Sequence, residues 1–264
     1  NTIIILTIIR LTMIDIHAHI LPCIDDGARS EKESLALLEK AKKMGVTDII
    51  LTPHYIIGSN YNANNKKKEA LLNKLSVKIE GIHLFLGNEI YFDKDMLSFL
   101  KKNEMASLNH SKYILFELPM HQKVSNIFEV IFELKTKGYW PILAHPERYS
   151  FIQDDPKMVE KLLRAGVLLQ SNLGSLKGYY GKKAKKTIHL LLKHHMVSFM
   201  ASDIHHEQNV FYEELPNMYK MLEKFLEKEY IDEIFTENAQ KIIQNKALKE
   251  VAFTPIKKGL LGFK

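Results

Sequence analysis

Cysteine is almost missing from this 264-residue chain, where Cys23 stands alone. A single thiol forms no intrachain disulfide, excludes structural zinc of the cysteine type, and fits a reducing compartment, the cytoplasm. Long hydrophobic runs are missing too: no 18-residue apolar stretch exists to insert into a membrane. Residues 1–12 (NTIIILTIIRLT) are apolar but have neither a basic leader nor a small-residue cleavage site, so they do not make a signal peptide. Met13 directly precedes the first motif, and the expectation is that it is the natural start, with 1–12 a non-native or disordered extension. No shift in composition marks a linker, which leaves one domain over 13–248. A basic tail follows over 249–264, with Pro255 and Gly259, and is expected to fray. Charge is only mildly one-sided, 37 Lys and Arg against 31 Asp and Glu, for a net +6. That balance favours anionic substrates or partners and is too diffuse for nucleic acid. The lysines at 66, 67, 68, 74 and 78, and those at 182, 183, 185 and 186, lack interleaved aromatics that would stack bases. They read as solvated helix faces.

What is present is a regular alternation. Short apolar runs of strand character occur at 13–19, 46–52, 82–89, 113–118, 140–144, 167–171 and 197–201. Between and after them, segments at 31–44, 66–80, 93–102, 124–137, 156–165, 182–195, 213–228 and 231–245 carry helical spacing. The first of these helices opens on a capping box, Ser30 to Glu33, and Gly45, Gly81, Gly138 and Gly166 sit where helices stop. Seven strands alternating with helices long enough for right-handed crossovers predict an α/β fold with a parallel sheet. One seven-unit barrel is its simplest closure.

Polar residues fall at the C-terminal ends of these strands. His17 and His19 end the first run, and residues two apart in a strand share a face. His54, Glu89, His145, Asp203 and His205 end later ones. Each alone has an ordinary explanation: His54 after Pro53 caps a turn, Glu89 pairs with a lysine. In a parallel barrel, however, all these ends converge on one face, and neutral imidazoles with carboxylates are the ligands of divalent metals. Cys23 and Arg29 also match C-x5-R, the loop of cysteine-dependent phosphatases, but Asp25 and Asp26 inside it would repel both phosphate and thiolate. That match reads as coincidence. The paired His194 and His195 lie at a helix end, where the dipole accounts for them.

The phrases Met13-Ile-Asp-Ile-His-Ala-His19, Asp25-Asp26-Gly27, Thr52-Pro53-His54, Gly87-Asn88-Glu89, Phe116-Glu117-Leu118-Pro119, Ala144-His145-Pro146-Glu147-Arg148, Gln170-Ser-Asn172-Leu-Gly174-Ser175 and Ala201-Ser202-Asp203-Ile-His205 appear in that order. Together they resemble the PHP (polymerase and histidinol phosphatase) domain. Within it, the chain is most similar to the bacterial metal-dependent protein-tyrosine phosphatases encoded beside capsule and exopolysaccharide genes. The resemblance implies a distorted (β/α)7 TIM-like barrel holding three divalent metals, Mn²⁺ foremost, with Fe, Zn, Co or Mg as substitutes. It implies that His17, His19 and Asp203 hold the first metal, with Glu89 bridging to the second. It implies that His145 and His121 complete the second site, and that Asp26, His54 and His205 hold the third. His121 is the least securely placed, because spacing after the proline varies in the family.

Arg148 matches an arginine that holds the substrate phosphate. Asp203 and His205 join it as catalytic residues, His205 as a candidate proton donor to the leaving tyrosinate. The implied reaction is attack of a metal-bridging hydroxide on phosphotyrosine, without a phosphoenzyme. The implied partner is a phosphotyrosine protein, a bacterial tyrosine kinase controlling capsule or exopolysaccharide synthesis. A second family arginine is absent after His205, where the chain reads His206 to Tyr212. The alternatives are a histidinol-phosphate or other small-molecule phosphomonoesterase, a TatD-like or amidohydrolase barrel, and a non-catalytic metal-binding module docking on a kinase. Homo-oligomerisation is left open.

Overall fold

The computed structural model describes residues 12–257. Its first strand, β1 (Met13–Ala18), is buried along its whole length, as its apolar run requires. It pairs in parallel with β2 (Val46–Leu51), which pairs in turn with β4 (His83–Leu86). A second parallel sheet runs in the order β3 (His54–Tyr55), β5 (Glu89–Tyr91), β6 (Tyr113–Glu117), β7 (Trp140–Ala144), β8 (Leu168–Asn172) and β9 (Phe199–Ala201).

The nine strands among the described residues are the seven expected ones and two short ones, β3 and β5, where the chain resumes pairing past the expected strand ends. The break between β2 and β3 falls at Thr52-Pro53, where proline supplies no ladder N–H. The break between β4 and β5 falls at Gly87-Asn88. There a Cβ on residue 87 would come within 2.6 Å of Leu108 Cδ2. Backbone hydrogen bonds cross both seams between the sheets. The Glu89 amide donates to the Pro53 carbonyl at 3.3 Å, the Asp203 amide to the His17 carbonyl at 2.8 Å, and the His19 amide to the Ile204 carbonyl at 2.9 Å.

Helices connect the strands. α1 (Glu31–Lys43) begins at Ser30, whose Oγ accepts the Glu33 amide at 3.1 Å. Only half of the expected capping box forms, because the Glu33 carboxylate accepts the Arg29 and Glu207 amides instead. α2 (Asn65–Ser76) starts one residue early and stops short of its expected C-terminal end. α3 (Met96–Lys101), α4 (Ile127–Thr136) and α6 (Met158–Arg164) lie within the expected helices and are shorter at both ends, and α8 (Lys182–Lys193) stops short of its expected C-terminal end. Two short helices, α5 (Ser150–Asp154) and α7 (Leu173–Lys177), were not expected. The helix expected at 213–228 reduces to α9 (Leu215–Leu222). That at 231–245 becomes α10 (Lys228–Asp232), a π-helical turn (Glu233–Glu237) and α11 (Asn238–Ile243).

Alternate strand residues Ile14 and Ile16, Tyr113 and Leu115, Ile142 and Ala144 enter one apolar cluster with Ala239 and Ile242 of α11. A larger cluster includes Leu37 and Leu38 of α1, Ile131 and Leu134 of α4, and Leu191 and Leu192 of α8. Two readings change. Lys68 lies on no solvated face: it is buried, at 1% exposure. The tail does not fray over its described part, since Ile256 is buried and the Thr254 amide donates to the His194 carbonyl at 2.9 Å. The expected extension, apart from Thr12, and the tail beyond 257 lie outside the described residues. No described helix is long and apolar enough to cross a membrane.

Candidate metal centre

The strand ends do bring the expected side chains together. His17, His19, Glu89 and Asp203 form one fully buried group of potential ligand atoms. His19, His54, Asp26 and His205 form a second, and His54, Glu89 and Glu117 a third. Glu89 is shared: its Oε2 lies 3.3 Å from both His17 Nε2 and His19 Nε2, and 3.0 Å from His54 Nδ1. His145 joins through the other oxygen, its Nε2 lying 2.8 Å from Glu89 Oε1. His145 and Asp203 both have left-handed backbones, φ 34° and 51°. Such strain costs on the order of 1–3 kcal/mol per residue and gathers at functional sites.

His121 is not brought here. It is exposed in the turn after β6 and belongs to none of the three groups. Glu117 stands in the third group instead. Glu117 ends a strand just as Glu89 begins β5 beside it, so the positional rule that singled out the other residues also covered it.

The surrounding hydrogen bonds settle which imidazole nitrogen faces inward. Asp203 Oδ2 accepts from Asn172 Nδ2 at 2.5 Å, Asn172 Oδ1 accepts from Gln170 Nε2 at 2.9 Å, and Gln170 Oε1 then faces His17 Nδ1 at 2.7 Å. This chain leaves His17 Nδ1 to donate and Nε2 as a bare lone pair. His19 Nδ1 likewise donates to Asp25 Oδ2 at 2.8 Å, and His205 Nδ1 to the Asp203 carbonyl at 3.0 Å. The two freed nitrogens, His17 Nε2 and His19 Nε2, then lie 3.1 Å apart and face carboxylate oxygens. Acceptors crowded against acceptors in a buried site are satisfied by a cation, and imidazole with carboxylate is the donor set of a divalent metal. His54 Nδ1 and His145 Nδ1 are buried without a hydrogen-bond partner among the described residues. The residues fit the metal.

A proton competes with a metal for these inward-facing lone pairs, and the same crowding sets how tightly the proton is held. Burial works to lower the His54 pKa, but Glu89 and Glu117 outweigh it and push it up to about 12. His19 is pushed up to about 10, Asp25 and Glu89 overcoming burial and the repulsion of His54. His205 goes the other way: burial and the neighbouring His19 pull it down to about 4, so at neutral pH it is uncharged. Burial opposes the charge on Glu89, yet His17 and His54 hold its carboxyl well below the usual range.

Several supporting residues carry no signal beyond their place in the quoted phrases. Asp25 holds His19 and accepts the Gly27 and His54 amides at 2.9 and 3.0 Å. Gly27 is required by close approach, since a Cβ there would sit 2.1 Å from the His19 carbonyl oxygen. Glu147 is fully buried and accepts the Asn172 amide and the Ser175 hydroxyl, locking the turn after β7 to α7. The C-x5-R loop forms no phosphate cradle: Cys23 is exposed, its thiol donates to the Arg29 carbonyl, and Asp25 turns inward to His19.

Arg148 ends a 3-10 turn (Pro146–Arg148) and is a quarter exposed. Its Nη1 donates to Asp203 Oδ2 at 2.9 Å. Arg148 lines a cavity of about 530 Å³ together with Asp26, Asp203 and His205. The cavity thus joins a guanidinium, a group suited to phosphate, with residues of the candidate ligand groups.

The sequence pattern of the family described as "Capsular polysaccharide synthesis, CpsB/CapC" matches residues 13–244. The chain belongs to this family. Tyrosine-protein phosphatase YwqE of Bacillus subtilis (strain 168) is 34% identical over 258 residues, 95% of this chain and 100% of its own length. Tyrosine-protein phosphatase CpsB of Streptococcus agalactiae serotype V is 30% identical over 241 residues, 88% of this chain and 99% of its own. A solved structure from work on YwqE of B. subtilis and CpsB of Streptococcus pneumoniae, described as unique metal-dependent tyrosine phosphatases, superposes with a TM-score of 0.83. It is 31% identical and covers 93% of this chain and 100% of the other. All the ligand groups of this CpsB/CapC-family chain lie inside the matched span.

Proposed function

We propose that this CpsB/CapC-family protein is a metal-dependent protein-tyrosine phosphatase acting on a phosphotyrosine protein, a bacterial tyrosine kinase of capsule or exopolysaccharide synthesis. The observation that carries the reading is the convergence of imidazole lone pairs and carboxylates beside Arg148 at the floor of an open cavity. We read the two sheets, hydrogen-bonded across both seams, as one distorted (β/α)7 barrel with this site at its C-terminal face.

His17, His19, Glu89 and Asp203 would hold one ion. Glu117 and His145 around Glu89 would hold a second, and Asp26, His54 and His205 a third. Mn²⁺ suits this donor mix best, with Fe, Zn, Co and Mg as substitutes. Divalent ions so held supply a water acidified to near neutral pH as nucleophile and neutralise charge on the phosphate. The chain's own residues do the rest. Arg148, steadied by Asp203, offers its free N–H groups to the phosphate oxygens, and preorganised donors of this kind stabilise charge that grows in the transition state. His205 serves as a ligand rather than as the proton donor, because its Nδ1–H is committed to the Asp203 carbonyl and its Nε2 faces Asp26. Tyrosinate, with a solution pKa of about 10, leaves with little protonation.

Comparing kcat/KM for a phosphotyrosine peptide and for L-histidinol phosphate on Mn²⁺-loaded protein tests the reading. We expect the peptide to be preferred by about a hundredfold. The reverse preference would assign the site to small-molecule phosphomonoesters.

A further inference from the structure

The cavity has an aromatic side that the metal chemistry does not use. Tyr179, Tyr180 and Phe211 line it together with Asp26 and His205. Tyr180 is already engaged, its ring lying 4.3 Å beneath the Arg148 guanidinium. Tyr179 is not buried: it is 52% exposed, with its ring centre 5.6 Å from that of buried Phe211. A single exposed ring is ordinary on a protein surface; what sets Tyr179 apart is that it lines the same cavity as Arg148.

The backbone is built to hold these rings. Gly178 (φ 89°) ends α7 and Gly181 (φ 93°) opens α8, both in conformations that side chains other than glycine rarely adopt. The Gly181 amide donates to the Gly178 carbonyl at 2.9 Å and closes the turn around Tyr179 and Tyr180. Beneath it, Gly174 leaves the space the rings occupy: a Cβ there would meet Tyr180 Cε2 at 2.9 Å and Phe211 Cε1 at 3.0 Å.

We infer that Tyr179, backed by Phe211, is the specificity-determining surface for the aromatic ring of the substrate, while Tyr180 is a positioning residue for Arg148. This rests on the phosphatase reading and deepens it, assigning the preference for aryl over alkyl phosphates to one rigid turn. Arg148 and Tyr179 line the same cavity, so an aryl group on a phosphate held at Arg148 would have a ring face to meet there that a methyl group is too small to use.

Non-hydrolysable probes separate this from the reaction itself. Binding of phenylphosphonate and methylphosphonate to Mn²⁺-loaded protein is measured by calorimetry, for the natural chain and for Tyr179→Ala and Tyr179→Phe. An aromatic contact of this kind gives a phenyl preference of about five- to tenfold. The preference should vanish in Tyr179→Ala and persist in Tyr179→Phe. Equal affinities in the natural chain, a preference that survives Tyr179→Ala, or failure of phenylphosphonate to bind would each overturn the inference. Phosphotyrosine turnover, assayed alongside, reports separately on the phosphatase reading: turnover with equal phosphonate affinities sinks only the aromatic surface.

Discussion

Glu117 and His121 are four residues apart and meet opposite fates. Glu117 is the last residue of β6, and its carboxylate lies 3.2 Å from His54 Nδ1. His121, past Pro119, is exposed in a turn and belongs to none of the candidate ligand groups. A ligand lost from a buried metal group costs tens- to hundreds-fold in affinity or activity, whereas an exposed turn residue costs little. We therefore expect Glu117→Gln to lose at least about tenfold in metal affinity and in phosphotyrosine turnover. His121→Ala should stay within about twofold. Metal content by mass spectrometry and turnover on the same preparations check this, and a larger loss in His121→Ala would reinstate it as a ligand. His17 and His19, at and just past the end of β1, were legible because residues two apart share a strand face. The tautomer of His17 was not, since it depends on Gln170 and Asn172, over 150 positions away in the chain.

α2 carries a lysine whose position was legible in retrospect. Lys68, Leu71, Leu72 and Leu75 stand at i, i+3, i+4 and i+7, the spacing of a buried stripe. Counting lysines as a solvated face overrode that period. Lys68 Nζ donates to Asn88 Oδ1, which also accepts the Ala106 amide, and Asn88 Nδ2 donates to the Pro53 carbonyl. The buried amine thereby braces the break between β4 and β5 from which Glu89 is presented. Burial pulls its pKa down to about 7, against about 10.4 unfolded. Between those values the unfolded chain binds the extra proton, so this group makes stability rise with pH from 7 towards 10. Lys68→Met lacks that rise. In denaturant unfolding, we expect the stability of the natural chain relative to Lys68→Met to increase by about 2–4 kcal/mol between pH 7 and 10. A difference that stays constant with pH would contradict a neutralised buried amine.

At the scale of the whole molecule, the alternation of strands and helices made the parallel α/β order readable. The convergence of polar strand ends made the location of the site readable. The breaks at Thr52-Pro53 and Gly87-Asn88 were harder to foresee. A proline or glycine near a strand end signals a boundary without saying that the chain resumes pairing two residues later in another sheet. The docking of the tail was hidden for a related reason: the partners that hold Thr254 and Ile256, His194 and Glu160, come from α8 and α6 and leave no local pattern. Loop rings such as Tyr179 escaped because their meaning depends on the cavity they border. These parts come together in one claim, that phosphotyrosine hydrolysis depends on metal held by the strand-end cluster. Phosphate release from a phosphotyrosine peptide, measured with chelator-stripped protein before and after addition of Mn²⁺, tests it most directly. We expect no release from the stripped protein and full restoration by Mn²⁺. Release that survives stripping would contradict metal dependence and return attention to the Cys23 loop.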